Sequence, residues 1–169
     1  MALKFEVSRQ FRSVLGGLSL EALERTLSSL WGRLAPDAPE PEMLEISLSA
    51  ADSEGMRELN KRYRGIDEPT DVLSFPLWET TDGLFSPPSG WPVLGLGDVV
   101  VCPPEIAGNA DRCGKKYEDE LLLVLVHGVL HLFARDHRSE EDKIGMWKIQ
   151  EDLVKAYRAK TAPAPGEKE

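Results

Sequence analysis

The chain has 169 residues, enough for one domain with a core that needs no staples. Its 20 Lys and Arg against 29 Asp and Glu give a formal net charge of −9, which excludes a generally basic polymer binder but leaves room for a local basic patch. The two cysteines, Cys102 and Cys113, form no CxxC pair, which excludes a disulfide scaffold and predicts reduced thiols.

Residues 3–7 alternate between apolar and polar, as an edge strand does. Ser19 is placed to cap a helix over 20–34 that carries Leu20, Leu23, Leu27 and Leu30 on one face. The Pro-rich, acidic stretch 35–42 reads as a surface connection. Residues 43–49 follow as a strand with Leu44, Ile46 and Leu48 on one side. A helix is predicted over 53–64, with Met56, Leu59 and Tyr63 at helical spacing and Gly65 as its C-terminal stop. Residues 71–75 form a strand ended by Pro76. Residues 77–96 carry Trp78, Phe85 and Trp91 among several Pro and Gly, a long loop that is either functional or mobile. Residues 97–102 are a further strand, after which Pro103 and Pro104 open a helix.

The middle of the helix predicted over 117–133 is apolar on all sides, which places it centrally. Its apolar run, Leu121 to Phe133, is shorter than the ~20 residues that cross a bilayer. Ser139 caps a last helix to about residue 158, with Met146, Ile149 and Leu153 inward. The N-terminal MALKFEVSRQF lacks the apolar segment of a signal peptide, so a cytoplasmic location is expected. Residues 1–158 read as a single domain and 159–169 as a disordered tail.

All three histidines of the chain fall in HGVLHLFARDH, residues 127–137. His127 and His131 are four apart on a helix, so their side chains share one face and can ligate one ion. His137 follows a break that lets the chain return with a third nitrogen. Three imidazoles leave one tetrahedral position open, the pattern of a catalytic site. Zinc is the natural ion for such a set, although nickel, copper or iron would also accept it. The competing reading is a pair of hydrogen-bonded core histidines plus one on the surface; burying two imidazoles in so apolar a helix without partners is costly. The spacing HxxxHxxxxxH resembles that of metzincin-type zinc proteases. However, the general base of HExxH enzymes is replaced here by Gly128, which cannot move a proton. A base must come from elsewhere, or the substrate must help.

The second constellation is ELNKRYRGIDEPTDVLSFP, residues 58–76. Arg57, Lys61, Arg62 and Arg64 crowd one short stretch of an otherwise acidic chain. A solvated helix face with compensating charges explains Arg57, Lys61 and Arg62. Arg64 sits at the helix end, where a guanidinium can clamp a phosphate with two hydrogen bonds. Asp71 and Ser74 read equally well as local structure or as cleft residues. Asp136, beside His137, is either a partner that orients an imidazole or a turn-stabilising residue.

Together these segments resemble the YbeY family of bacterial endoribonucleases and ribosomal RNA maturation factors. The family pattern HGxLHLxGYDH is matched by HGVLHLFARDH, and LNxxYRxxDxPTDVLSFP by LNKRYRGIDEPTDVLSFP. LGDVVV (96–101), LLLVLVHG and MWKIQEDLV (146–154) are also similar, so the resemblance spans about residues 40–157. It implies an α/β (α+β) fold: a small mixed four-stranded sheet packed with about five helices around a zincin-like central metal helix. It implies one zinc per chain on His127, His131 and His137, and a catalytic role for Arg64 in RNA cleavage. The implied activity is single-strand-preferring, metal-dependent endoribonuclease action in 3′-end maturation of 16S ribosomal RNA and in ribosome quality control. The implied partners are ribosomal RNA and the ribosome, with a ribosomal protein or assembly factor for targeting, and neither DNA nor membrane. One departure is that Ala134-Arg135 replaces the family's Gly-Tyr, so a residue with a Cβ must either take φ > 0 after the helix or turn differently.

The chemistry expected is phosphodiester hydrolysis, with either water or the RNA 2′-OH as nucleophile. A non-catalytic, zinc-containing ribosome-assembly factor is the alternative from another class. A peptidase is disfavoured by Gly128.

Overall fold

The period-two pattern near residue 45 builds the strand on which the sheet is centred: Met43–Ala50 (β2) buries Leu44, Ile46 and Leu48 on one side. The computed structural model describes residues 1–136 and 139–162. Within them three more strands join β2, namely Ala2–Val7 (β1), Val72–Pro76 (β3) and Val93–Val101 (β4). The order across the sheet is β1-β2-β4-β3, with β1, β2 and β4 parallel and β3 antiparallel to β4. The helical segments are Arg9–Arg12 (α1), Leu20–Leu27 (α2), Leu30–Leu34 (α3), Ser53–Arg64 (α4), Pro103–Cys113 (α5), Tyr117–Leu132 (α6) and Glu140–Thr161 (α7). Among the described residues five of these have eight residues or more, so the observed fold is the α/β arrangement expected. No helix among the described residues is long and apolar enough to cross a membrane.

The sheet separates two apolar layers. The larger packs Leu44, Ile46, Val99 and Val101 of the sheet with Leu23 and Leu27 of α2 and Leu125 and Val129 of α6. The smaller packs Leu73 and Cys102 with Met56 of α4, and Phe75 and Val100 lie against it. Val72 and Ser74 alternate with Leu73 and Phe75, so they face α6 while their neighbours face α4. Ten of the sixteen residues of α6 are buried, as its all-round apolar character requires. At Gly128 an added Cβ would lie 2.9 Å from Val99 Cγ1 and 3.2 Å from Val72 Cγ2, so the helix rests directly on β3 and β4.

Both edge strands are guarded. The Phe5 N–H of β1 donates to Glu24 Oε1 of α2 at 2.9 Å, which satisfies an edge group that would otherwise face a neighbouring chain. The caps follow the sequence: Ser19 Oγ accepts from the Ala22 N–H, Asp52 Oδ1 from Gly55, and Ser139 Oγ from Asp142. Gly65 takes φ 72° after α4.

Four expectations shift. The helix expected over 20–34 breaks after Leu27. Ser28 Oγ donates to Arg25 O and Ser29 Oγ to Thr26 O, and these local bonds compete with the helical ladder. Tyr63 is 59% exposed, with its ring edge-on to Phe75, and Asn60 takes the inward place one turn after Met56. The fourth strand starts at Val93, four residues before the expected 97. A bulge explains the misreading: Glu45 pairs Gly95 and Ile46 pairs Gly97, leaving Leu96 extra. Burial therefore switches parity, from Leu94 and Leu96 to Val99 and Val101. The helix α7 runs to Thr161, past the expected end at 158, and residues 163–169 of the expected tail lie outside the described residues.

The remaining loop, 77–92, is fastened at several points. Trp78 Nε1 donates to Gly95 O at 2.6 Å, and Phe85 packs against Trp31 and Phe133 with ring centroids 5.8 and 5.1 Å away. At the end of α6, the Ala134 N–H bonds His131 O and the Arg135 N–H bonds Leu130 O, a double closure that puts the first of the two residues in the left-handed region. Ala134 takes φ 54°, so it keeps the turn and bears the strain.

Two outcomes are expected. Gly97 has φ 140°, and a Cβ there would lie 2.1 Å from Phe75 O, so Gly97→Ala should destabilise by about 3 kcal/mol. The urea midpoint should fall with an unchanged slope; a loss within about 1 kcal/mol would contradict the bulge geometry. Ala134→Gly should stabilise. Relief of roughly 1–2 kcal/mol of left-handed strain outweighs the ~0.4–1 kcal/mol entropic cost of glycine. The expected gain is about 0.5–1 kcal/mol, read as a rise of roughly 1–4 °C in Tm.

Candidate functional site

The histidines lie on α6 to one side of Gly128's contact with the sheet. His127 and His131 lie one turn apart, with ring centroids 4.7 Å apart and planes at 72°. Their Nε2 atoms are 3.1 Å apart. Two nitrogens at 2.0–2.1 Å from a shared tetrahedral ion stand about 3.3 Å apart, so this pair fits a single metal ion with little adjustment. His127 Nδ1 lies 3.0 Å from Gln150 Oε1 of α7. An amide oxygen only accepts, so in the Nδ1–H tautomer His127 donates to Gln150 and keeps the Nε2 lone pair toward His131. The third expected ligand, His137, lies outside the described residues. Among the described residues, no third His, Cys, Asp or Glu completes a three-ligand group with the pair.

The two histidines form one wall of a cleft of about 610 Å³. Arg64, Thr70, Asp71, the outer side of β3, Glu79, Glu120, Ala134, Arg135, Asp136 and Gln150 complete it. The structure therefore brings Arg64 to the same cleft as His127 and His131, from the opposite layer of the fold. Arg64 lies four residues beyond buried Asn60 and eight beyond buried Met56, on the helical row that faces the sheet. As the last residue of α4, it reaches past the edge strand into the cleft. Asn60 Nδ2 donates to Glu68 O at 2.7 Å and fastens the turn that leads from Arg64 to β3.

Two of the other cations of α4, Arg57 and Lys61, are used locally, while Arg62 forms no ion pair among the described residues. Arg57 Nε donates to Asp67 Oδ1 at 2.8 Å and Lys61 Nζ to Asp67 Oδ2 at 3.0 Å, and Arg57 also pairs with Glu54. Hydrogen bonds from Lys61 and Arg57 hold the Asp67 carboxyl below the usual carboxylate range. Arg64 has no carboxylate partner among the described residues. Of the three cations expected to be compensated, Arg57 and Lys61 have ion pairs and Arg62 has none among the described residues, while Arg64 lines the cleft.

Ser74 and Asp71 are now placed. Ser74 lines the cleft, but its hydroxyl donates to Gly128 O at 2.8 Å and ties β3 to α6. Asp71 lies in the cleft just before β3 and accepts from Asn109 Nδ2 at 3.3 Å; Arg112 donates in turn to Asn109 Oδ1. Gly128 explains the missing HExxH glutamate, because a side chain there would drive into Val72 and Val99 instead of the cleft. Gln150, Glu79 and Glu120 are among the cleft residues that escaped the sequence reading. Gln150 had a signal, since it shares the inward row of α7 with Met146 and Leu153. Glu120 also had one, two turns before His127 on the same face, with only 7% of its surface exposed. Glu79 lies in a loop and had none.

Known proteins place this architecture. The sequence model of the endoribonuclease YbeY family matches residues 15–158. A curated endoribonuclease YbeY from Halalkalibacterium halodurans is 44% identical over 115 residues, 67% of this chain and 72% of the relative. Those of Shouchella clausii and Persephonella marina are 37% and 34% identical, over 83% and 88% of this chain and 88% and 87% of theirs. The solution structure of TM1509 from Thermotoga maritima superposes with a TM-score of 0.56 at 26% identity, covering 98% of this chain and 99% of that one. With a family match over most of its length and relatives above 30% identity, the chain belongs to the endoribonuclease YbeY family.

Proposed function

We propose that the cleft cleaves single-stranded RNA phosphodiester bonds with a metal ion held by His127, His131 and His137, and with Arg64 as the phosphate-binding catalytic residue. Family membership makes the chain an endoribonuclease, a hydrolase acting on RNA. The observation that carries the finer reading is that two converging imidazole nitrogens and an arginine without a carboxylate partner among the described residues face one cleft. Zinc is the ion we assign, one per chain, on the chemistry of an all-imidazole set. Such an ion supplies Lewis acidity toward a phosphoryl oxygen and a lowered pKa for water at neutral pH.

The chain's own residues do the rest. Arg64 donates two parallel hydrogen bonds to the non-bridging oxygens and meets the charge that grows on them in the transition state. Gln150 Oε1 stands 3.0 Å from the His127 Nδ1 that faces away from His131. Gly128 leaves no base beside the first histidine. The proton of the nucleophile therefore goes to another cleft group or to solvent, whether the nucleophile is water or the RNA 2′-OH. Ribosomal RNA is the substrate we assign, in 3′-end maturation of 16S RNA and in ribosome quality control. A net charge of −9 opposes non-specific hold on RNA, so delivery by the ribosome or by a bound ribosomal protein or assembly factor, in the cytoplasm, fits the charge.

The test is cleavage of ribosomal RNA by metal-replete protein, with a chelated sample and Arg64→Ala alongside. Chelation should abolish cleavage, and Arg64→Ala should lower kcat/KM by about 10²–10³-fold with metal content unchanged. Full activity in a folded Arg64→Ala protein would remove the assigned role, and cleavage that survives chelation would remove the metal. Product ends separate the nucleophiles: a 2′,3′-cyclic phosphate marks the 2′-OH, and its absence throughout the time course marks water.

A further inference from the structure

We infer that Gln150 is a positioning residue of the histidine pair: its amide oxygen fixes His127 in the Nδ1–H tautomer, so that Nε2 is ready to ligate. The inference rests on the metal reading proposed above. Gln150 Oε1 lies 3.0 Å from His127 Nδ1, and His127 Nε2 lies 3.1 Å from His131 Nε2. A neutral imidazole carries one proton, so the bond that holds it at Nδ1 also leaves the lone pair on the nitrogen turned toward His131. In bulk water the two neutral tautomers interchange freely, and a ring without this bond spends part of its population with the wrong nitrogen blocked.

The arrangement also fixes geometry. Gln150 stands on the row of α7 that carries buried Met146 and Leu153, so its backbone is held by the core and not by the cleft. The side chain reaches across the packed α6–α7 boundary to meet the ring. A ligating histidine usually gives its second N–H to a carboxylate, a backbone carbonyl or water. A side-chain amide does the same work without adding another negative charge to a cleft already lined by Asp71, Glu79, Glu120 and Asp136.

The experiment compares the full-length protein with Gln150→Met, close in shape but without the acceptor, and Gln150→Glu, which keeps an acceptor. The first readout is the affinity for Zn²⁺ alone, by competition with a chromogenic chelator. Gln150→Met should bind about 10–100-fold more weakly, and Gln150→Glu at least as tightly as the parent protein. The second readout is the tautomer of His127 in metal-free protein, from long-range proton–nitrogen correlations recorded across a pH series. The Nδ1–H form should dominate in the parent and in Gln150→Glu, and give way in Gln150→Met. If Gln150→Met does not fold, Gln150→Ala replaces it. Unchanged Zn²⁺ affinity without the acceptor overturns the inference, as does an equal loss in Gln150→Glu. Failure of the parent protein to bind Zn²⁺ removes the metal reading itself, and the role assigned to Gln150 with it.

Discussion

At Gly128 the helix α6 comes so near the sheet that even a methyl group has no place between it and Val72 and Val99. Ser74 adds a hydrogen bond from β3 to the Gly128 carbonyl, so the contact is fixed in register as well as in distance. Both histidines are placed by that contact. A helix side chain one residue from the contact points well to one side, and His127 and His131 are brought out together into the space beside the edge strand. The apolar remainder of α6 is buried on every other side, so the helix has no freedom to roll. The same contact removes the position that would carry a glutamate in an HExxH enzyme. One steric constraint thus aims both histidines and leaves no carboxylate beside the first of them.

Much of this was legible along the chain. Alternation gave β1 and β2, capping residues gave the starts of α2 and α7, Gly65 gave the end of α4, and the spacing of His127 and His131 announced a shared face. Arg64 was distinguishable from its cationic neighbours because it sits at the helix end. What escaped has a common cause. The bulge at Leu96 inverts which residues face inward halfway along β4, and no local pattern survives a change of parity. Buried Asn60, not Tyr63, faces inward because its amide is required by the carbonyl of Glu68, a tertiary contact across a turn. Gln150 meets His127 over 23 residues of sequence, and only the antiparallel packing of α6 and α7 makes them neighbours. The substitution of Ala134 for a glycine was visible, but which side of the choice it would take was not: the double closure after α6 proved worth the strain.

The charge of the molecule and the charge of the cleft work at different ranges. Nine excess negative charges oppose a polyanion at a distance, beyond which salt screens the field. Arg57 and Lys61, the cations a sequence reader first associates with RNA, are spent on Asp67 and Glu54. Arg64 and Arg135 line the recess. The same recess also carries Asp71, Glu79, Glu120 and Asp136, so its two guanidinium groups act locally and not as a basic field.

The position of the cleft along the outer side of β3 has a consequence for the integrity of the protein. A bare strand at a sheet edge offers its unpaired backbone groups to any other extended chain, the usual route to intermolecular sheets. Here that border is recessed between Arg64 from one layer and α6 from the other, and it ends in Pro76. A neighbouring polypeptide would have to enter a crevice studded with charge to reach it. The recess read here as a place for chemistry is therefore also a guard against self-association, and widening it to admit bulkier substrates would uncover the sheet's vulnerable margin.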